Sequence, residues 1–249
     1  MKNHIVVVLL FTAWLAFPVE AQFGNLKKKL NPLTEKLNPL AEKLNPLASD
    51  ESASSETSIS RKDLASSLGN SLNAISEARL EFIEANIDFA IALGLKSETV
   101  EKLRESKNAI EGASSDAGKR VKSLKDSQVI TDAAFKESEK AMEESKELSA
   151  ESKAAFAEGI SHLFAGSVKE KQQIQLTKDL LVQAQSLLKS AGPMEKVGIL
   201  KYVNPLKTLI TFIPGDLKTG LSAFRQATAY GKKQKVVIPD NMEDELPEL

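Results

Sequence analysis

The sequence predicts an all-α protein: an elongated antiparallel bundle of four long helices plus a hydrophobic C-terminal helical pair, preceded by a proline-punctuated amphipathic repeat. Three observations carry that expectation. From residue 61 onward, Ala, Ser, Glu, Lys and Leu recur, and apolar residues return at steps of three and four. Short connections separate the periodic segments, which favours neighbours that reverse direction. No segment alternates apolar and polar residues over a strand's length; "KVVIP" at 235–239 is an isolated candidate.

At the N-terminus, Lys2 precedes an apolar run from Ile5 to Phe17, and Val19 and Ala21 flank Glu20. This is the pattern of a secretory signal peptide over 1–21, with a mature chain beginning at Gln22. The run is short for a bilayer span. The expected location is therefore outside the cytoplasm, in the periplasm or secreted. The chain has no cysteine, which removes disulfides, thiolate metal sites and cysteine nucleophiles. Its formal net charge of −1 exerts no general pull on nucleic acid.

Residues 22–48 repeat the unit K-L-N-P-L-x-E. Leu30, Leu33, Leu37, Leu40, Leu44 and Leu47 follow steps of three and four, so a helical path would place them together. Proline inside a continuous helix costs about 3 kcal/mol. Proline at a first helical position is well tolerated, and Asn31, Asn38 and Asn45 are suited to capping it. The expected form is a series of short amphipathic turns whose leucines meet lipid, a protein partner or the chain's own bundle. Residues 49–60, "SDESASSETSIS", read as a polar linker.

The bundle domain is expected over 61–230. Helix one runs from Arg61 to Leu93, capped by Ser60 and closed by Gly94, with Leu68, Leu72, Ile75, Phe82 and Phe89 on its inner stripe. The second helix starts at Ser97. Its seam of Val100, Leu103, Lys107, Ile110, Ser114, Ala117, Val121 and Leu124 carries straight through Gly112. A third helix, Thr131 to Phe164, places Ser138, Ser145, Ser152 and Gly159 at heptad spacing, as a close helix–helix approach requires. Helix four extends from Ser167 to Ala191, with Leu180 and Ala184 among its apolar positions, and Gly192-Pro193 stops it.

The C-terminal pair begins with "VGILKYVNPLKTLITFIPG", the most hydrophobic stretch after residue 21. Ile199, Val203, Leu206, Ile210 and Ile213 keep helical steps there and form the second candidate lipid- or partner-binding set. Pro205 is expected to bend this helix and Pro214-Gly215 to turn it into a last amphipathic helix, Asp216 to Tyr230. Residues 231–249 read as a flexible tail ending acidic.

No constellation for chemistry emerges. His162 stands apart from any second histidine in the bundle and reads as a packed or capping residue near a helix end. "GASSDAGKR" at 112–120 imitates a phosphate-binding loop but has five residues between its glycines and Arg120 where Ser or Thr is required. A Gly-x-Ser-x-Gly elbow is missing. No catalytic, cofactor-binding or metal-binding residue is therefore expected, and no enzyme is expected. The expected function is an exported, non-catalytic helical bundle that binds lipid or another apolar ligand or surface in the cell envelope. Phe82, Phe89, Phe156 and Phe212 would line its core or a cavity within it. The alternatives are an assembly protein working through coiled-coil-like contacts, or a helical pore-former. The partners implied are lipid, an apolar ligand or a protein reached through the leucine repeat, with a membrane surface and self-association both compatible and nucleic acid excluded.

Overall fold

Ser60 opens the first helix as its sequence requires: its hydroxyl accepts the Asp63 N–H at 3.2 Å. In a computed structural model the described residues are 59–144, 147–239, 242, 245 and 246. The signal-like segment, the leucine repeat and nearly all of the linker lie outside them. Among the described residues the chain is all-helical, with five helices and no strand: α1 Arg61–Ala92, α2 Ser97–Glu111, α3 Ala117–Glu144, α4 Ala150–Ser190 and α5 Pro193–Lys233. They form one unit in which α4 lies along α1 and α5 along α4; α3 contacts α1 and α5, and α2 bridges α1 and α3.

Three boundaries differ from the sequence expectation, each for a local reason. The second helix does not run through Gly112; it ends at Glu111 and the chain restarts at Ala117. Asp116 accounts for the restart, because its carboxylate accepts the Lys119 N–H at 2.9 Å. The expected Thr131–Phe164 helix is likewise two pieces. Thr131 lies inside α3, and α4 begins after Ser149, whose hydroxyl accepts the Ser152 N–H at 3.1 Å. From there α4 continues across the expected start at Ser167 for 41 residues.

The third correction concerns the C-terminal pair, which is a single 41-residue helix containing both Pro205 and Pro214. Each proline removes one helical hydrogen bond. The helix stays continuous because its inner side is anchored on both sides of each proline: Val203, Leu206, Leu209, Ile213, Leu217, Leu221 and Phe224 are all fully buried. Its start is well formed, with Pro193 at the first position and the Glu195 carboxylate accepting the Gly192 N–H at 3.1 Å. The described part of the tail also packs back, because Val236 and Met242 are buried.

Glycines set the closest approach between helices. Gly159 of α4 lies against Phe89 and the Ala85 carbonyl of α1, and Gly166 lies against Phe82 and the Ala78 carbonyl. On α5, Gly220 also meets the Phe82 ring, at Cζ and Cε1. A Cβ at Gly166 would fall 2.7 Å from Phe82 and 3.1 Å from backbone oxygen, so it cannot be accommodated by a side-chain swing. Around these contacts Phe89 stacks at 4.8 Å on Phe156, and Phe156 at 5.2 Å on Tyr230. An aliphatic core of Leu64, Leu68, Leu72, Ile75, Leu180 and Ala184 occupies the region of the α1 start.

Gly166→Ala should therefore lower the urea unfolding free energy by roughly 1–3 kcal/mol, although alanine is the better helix former by about 1 kcal/mol. Combining it with Phe82→Leu should recover part of that loss. A strictly additive double-mutant cycle would show that the Phe82–Gly166 contact does not limit packing.

Candidate functional site

The second predicted site set lands inside the molecule. Ile199, Val203, Leu206 and Ile213 are at most 2% exposed, and Ile210 is half-buried. The four buried ones belong to the core cluster with Leu64, Leu68, Leu124, Leu180 and Ala184, and offer no outer surface. Phe82, Phe89, Phe156 and Phe212 are likewise core. The first set, Leu30 to Leu47, lies outside the described residues. What α5 does leave outside is a short apolar strip: Met194 is 89% exposed, Val197 72% and Leu200 42%. The three follow one another at three-residue steps on the first turns of α5. Arg61, at the start of α1, reaches Gly198 beside them. Other exposed large apolar residues, such as Ile91 and Val129, occur singly. No described helix is long and apolar enough to cross a membrane.

Two charged clusters lie deeper. In the first, the fully buried Arg79 pairs with the carboxylate of Asp216 and donates to Thr131 Oγ1 at 2.9 Å. Its guanidinium lies 5.5 Å from the Phe82 ring centre and 5.6 Å from that of Phe212. Burial lowers the Arg79 pKa to about 10, with Glu170 and Asp132 opposing, so the group stays charged at neutral pH. Glu170 is equally buried, and neither carboxyl oxygen hydrogen-bonds another described residue. Burial pushes its pKa up to about 8 against the pull of Arg79. At pH 7 the layer therefore holds a charged Arg79 beside a Glu170 that keeps its proton. Ser167, Glu170, Gln173 and Thr177 make this side of α4 polar although it is buried.

Sequence reasoning missed this layer, yet a signal was there. Arg79 and Asn86 fall on the inner stripe of α1 between Ile75, Phe82 and Phe89, and Glu170 falls on that of α4 between Gly166 and Thr177. A charge on a seam position is the mark of a buried polar group.

The second cluster is at the rim. His162 is in the middle of α4 rather than near a helix end, and its Nδ1 lies 2.6 Å from Glu81. Lys169 donates to the same carboxylate at 2.7 Å, and Asp88 lies 3.8 Å from His162 Nε2. Burial would lower the His162 pKa, but the hydrogen bond to Glu81 and the nearby Glu81, Asp88 and Glu84 carboxylates raise it overall. Burial raises Asp88 to about 7; His162 opposes this while Glu158 and Glu84 add to it. The cluster ties α1 to α4. Among the described residues no group of His, Asp and Glu has the geometry of a metal site.

Two outcomes follow for the buried layer. Glu170 keeps in the folded state a proton that the unfolded chain releases, so stability falls as pH rises from the ordinary carboxyl range through about 8. Glu170→Gln should match the parent near pH 4.5 and exceed it by roughly 1–3 kcal/mol at pH 8, read from urea midpoints. Arg79→Met should cost roughly 3–5 kcal/mol because it strands Asp216. Adding Asp216→Leu should restore much of that, and a double variant as unstable as the single one would count against the pair.

No family model, no curated protein and no solved structure matches this chain.

Proposed function

We propose that the chain is an exported, non-catalytic helical-bundle protein that binds a lipid or other apolar surface in the cell envelope. The observation that carries this reading is the exposed strip of Met194, Val197 and Leu200, apolar on one side of α5 and bordered by Arg61. Such a strip with basic neighbours suits the boundary between headgroups and acyl chains. The six leucines from Leu30 to Leu47 supply a second apolar element in the same reading. Export rests on the pattern of residues 1–21.

The bundle is elongated and antiparallel in this reading. Helices of 41 residues extend roughly 60 Å. The contact order supports reversal: Gly159 meets Ala85 and Phe89, whereas Gly166, further along α4, meets the earlier Ala78 and Phe82. The small-residue approach that could seat a partner helix is occupied within the chain by these phenylalanines, which favours a lipid surface over assembly.

Flotation of the full chain with phospholipid vesicles tests the reading. The wild type should rise with the vesicles. Replacing Met194, Val197 and Leu200 together by serine should weaken partitioning roughly ten-fold or more, at about 0.8 kcal/mol per apolar carbon withdrawn from lipid. Recovery of wild-type protein at the bottom of the gradient, whatever the lipid composition, would reject a lipid surface.

A further inference from the structure

Five of the seven cations of α5 fall in a line. Lys196, Lys207, Lys218, Arg225 and Lys232 succeed one another at steps of eleven, eleven, seven and seven residues, and all five are exposed. Each step is within about 20° of a whole number of helical turns, so the five share one edge of the helix. That edge lies roughly 75–100° around the helix from the buried Ile199, Leu206, Leu217 and Phe224, along the border of the buried side. It extends about 54 Å at 1.5 Å per residue. Leu200 falls on the same edge between Lys196 and Lys207, with Val197 beside it.

α5 itself supplies few acids to the line. α5 contains Glu195 and Asp216 only. Glu195 is held at the helix start by the Gly192 N–H, and Asp216 is buried against Arg79. On other helices Lys102 pairs with Glu98, Lys122 with Asp126 and Lys169 with Glu81. Lys196, Lys207, Lys218 and Arg225 enter no ion pair among the described residues. Four exposed cations without such a pair thus share one helix edge.

We infer that the outer edge of α5 lies along an anionic lipid surface, its lysines and Arg225 at the headgroup phosphates and Val197 and Leu200 entering the apolar boundary at one end. This rests on the lipid-surface reading above and names the lipid class. A cationic line about 54 Å long exceeds any small phosphate ligand and matches an extended anionic surface. Nucleic acid would also supply such a surface. The apolar residues in the line favour lipid, and the exposed edge presents no aromatic ring for base stacking, since Tyr202 and Tyr230 are half-buried and Phe212 and Phe224 are core.

The test uses the full chain, vesicles of phosphatidylcholine with and without phosphatidylglycerol, and duplex DNA as a lipid-free polyanion. Wild-type protein should bind the phosphatidylglycerol vesicles at least ten-fold more tightly, and added salt should erase most of that difference. Lys207→Glu, Lys218→Glu and Arg225→Glu together should weaken that binding by roughly 100-fold or more, at about five-fold for each charge lost and more for reversal. Lys207→Arg with Lys218→Arg should keep it. A glutamine set at the same three positions gives the same direction, with a smaller loss, should the glutamate set fail to fold by circular dichroism. Equal binding to both vesicle types, or glutamate and glutamine sets that bind like the wild type, would overturn the anionic assignment while leaving lipid binding in place. Absence of binding to either vesicle removes the lipid reading and this inference together. DNA binding that depends on these three residues without vesicle binding would assign the edge to nucleic acid and overturn it as well.

Discussion

One node holds four of the five helices in register. The Phe82 ring of α1 is seated against Gly166 of α4 and Gly220 of α5, where a side chain on either glycine would collide with it. One turn before it, Arg79 packs over that ring, pairs with Asp216 of α5 and donates to Thr131 of α3. The two contacts constrain differently. Glycine against ring fixes the distance between helices, because packed interiors yield little to overlap. The buried ion pair fixes rotation and register, because a shift of either helix would strand a charge away from water.

The outer surface follows from that node. With Asp216 and Gly220 turned inward, the opposite edge of α5 is committed to solvent, and it is there that Lys196, Lys207, Lys218 and Arg225 align. The alignment also needs α5 to be continuous. A bend at Pro205 or a turn at Pro214 would break the line into pieces pointing in different directions. Burial of Leu206, Leu209, Ile213 and Leu217 around the two prolines therefore matters beyond core stability: it keeps the cationic edge on one continuous helix. The polar side of α4, from Ser167 to Thr177, works in the other direction by placing a neutral acid, Glu170, beside Arg79.

Much of the helical content was legible because it depends on local rules. Ser60 capping, Gly94 closure, the stripe of α1 and the stop at Gly192-Pro193 all rest on neighbouring residues, and the helices end or begin where these act. The misplaced boundaries have a common cause. At Gly112 and ahead of α4, capping by Asp116 and Ser149 restarts helices where periodicity alone would carry one seam through. At Ser167 and at the two prolines, burial joined segments that local propensity would separate. The candidate residues Ile199, Val203, Leu206 and Ile213 were legible as apolar and helical, but not as internal. An amphipathic stripe has the same pattern whether it meets lipid, a partner or the neighbouring helix.

The sequence by itself determined that the described residues are helical and that each helix has an apolar side. These properties follow from composition and from periods of three and four residues, which any short window contains. Only the tertiary structure decided which apolar side is covered and which charges pair. The seam positions of Arg79 and Glu170 mark them as inward, but their partners appear only when α3, α4 and α5 close together, and the lysines of α5 look like scattered punctuation until Asp216 turns inward. The physical reason is that ion pairing and close packing are contacts between segments far apart in the chain, and a local pattern does not record which segments meet.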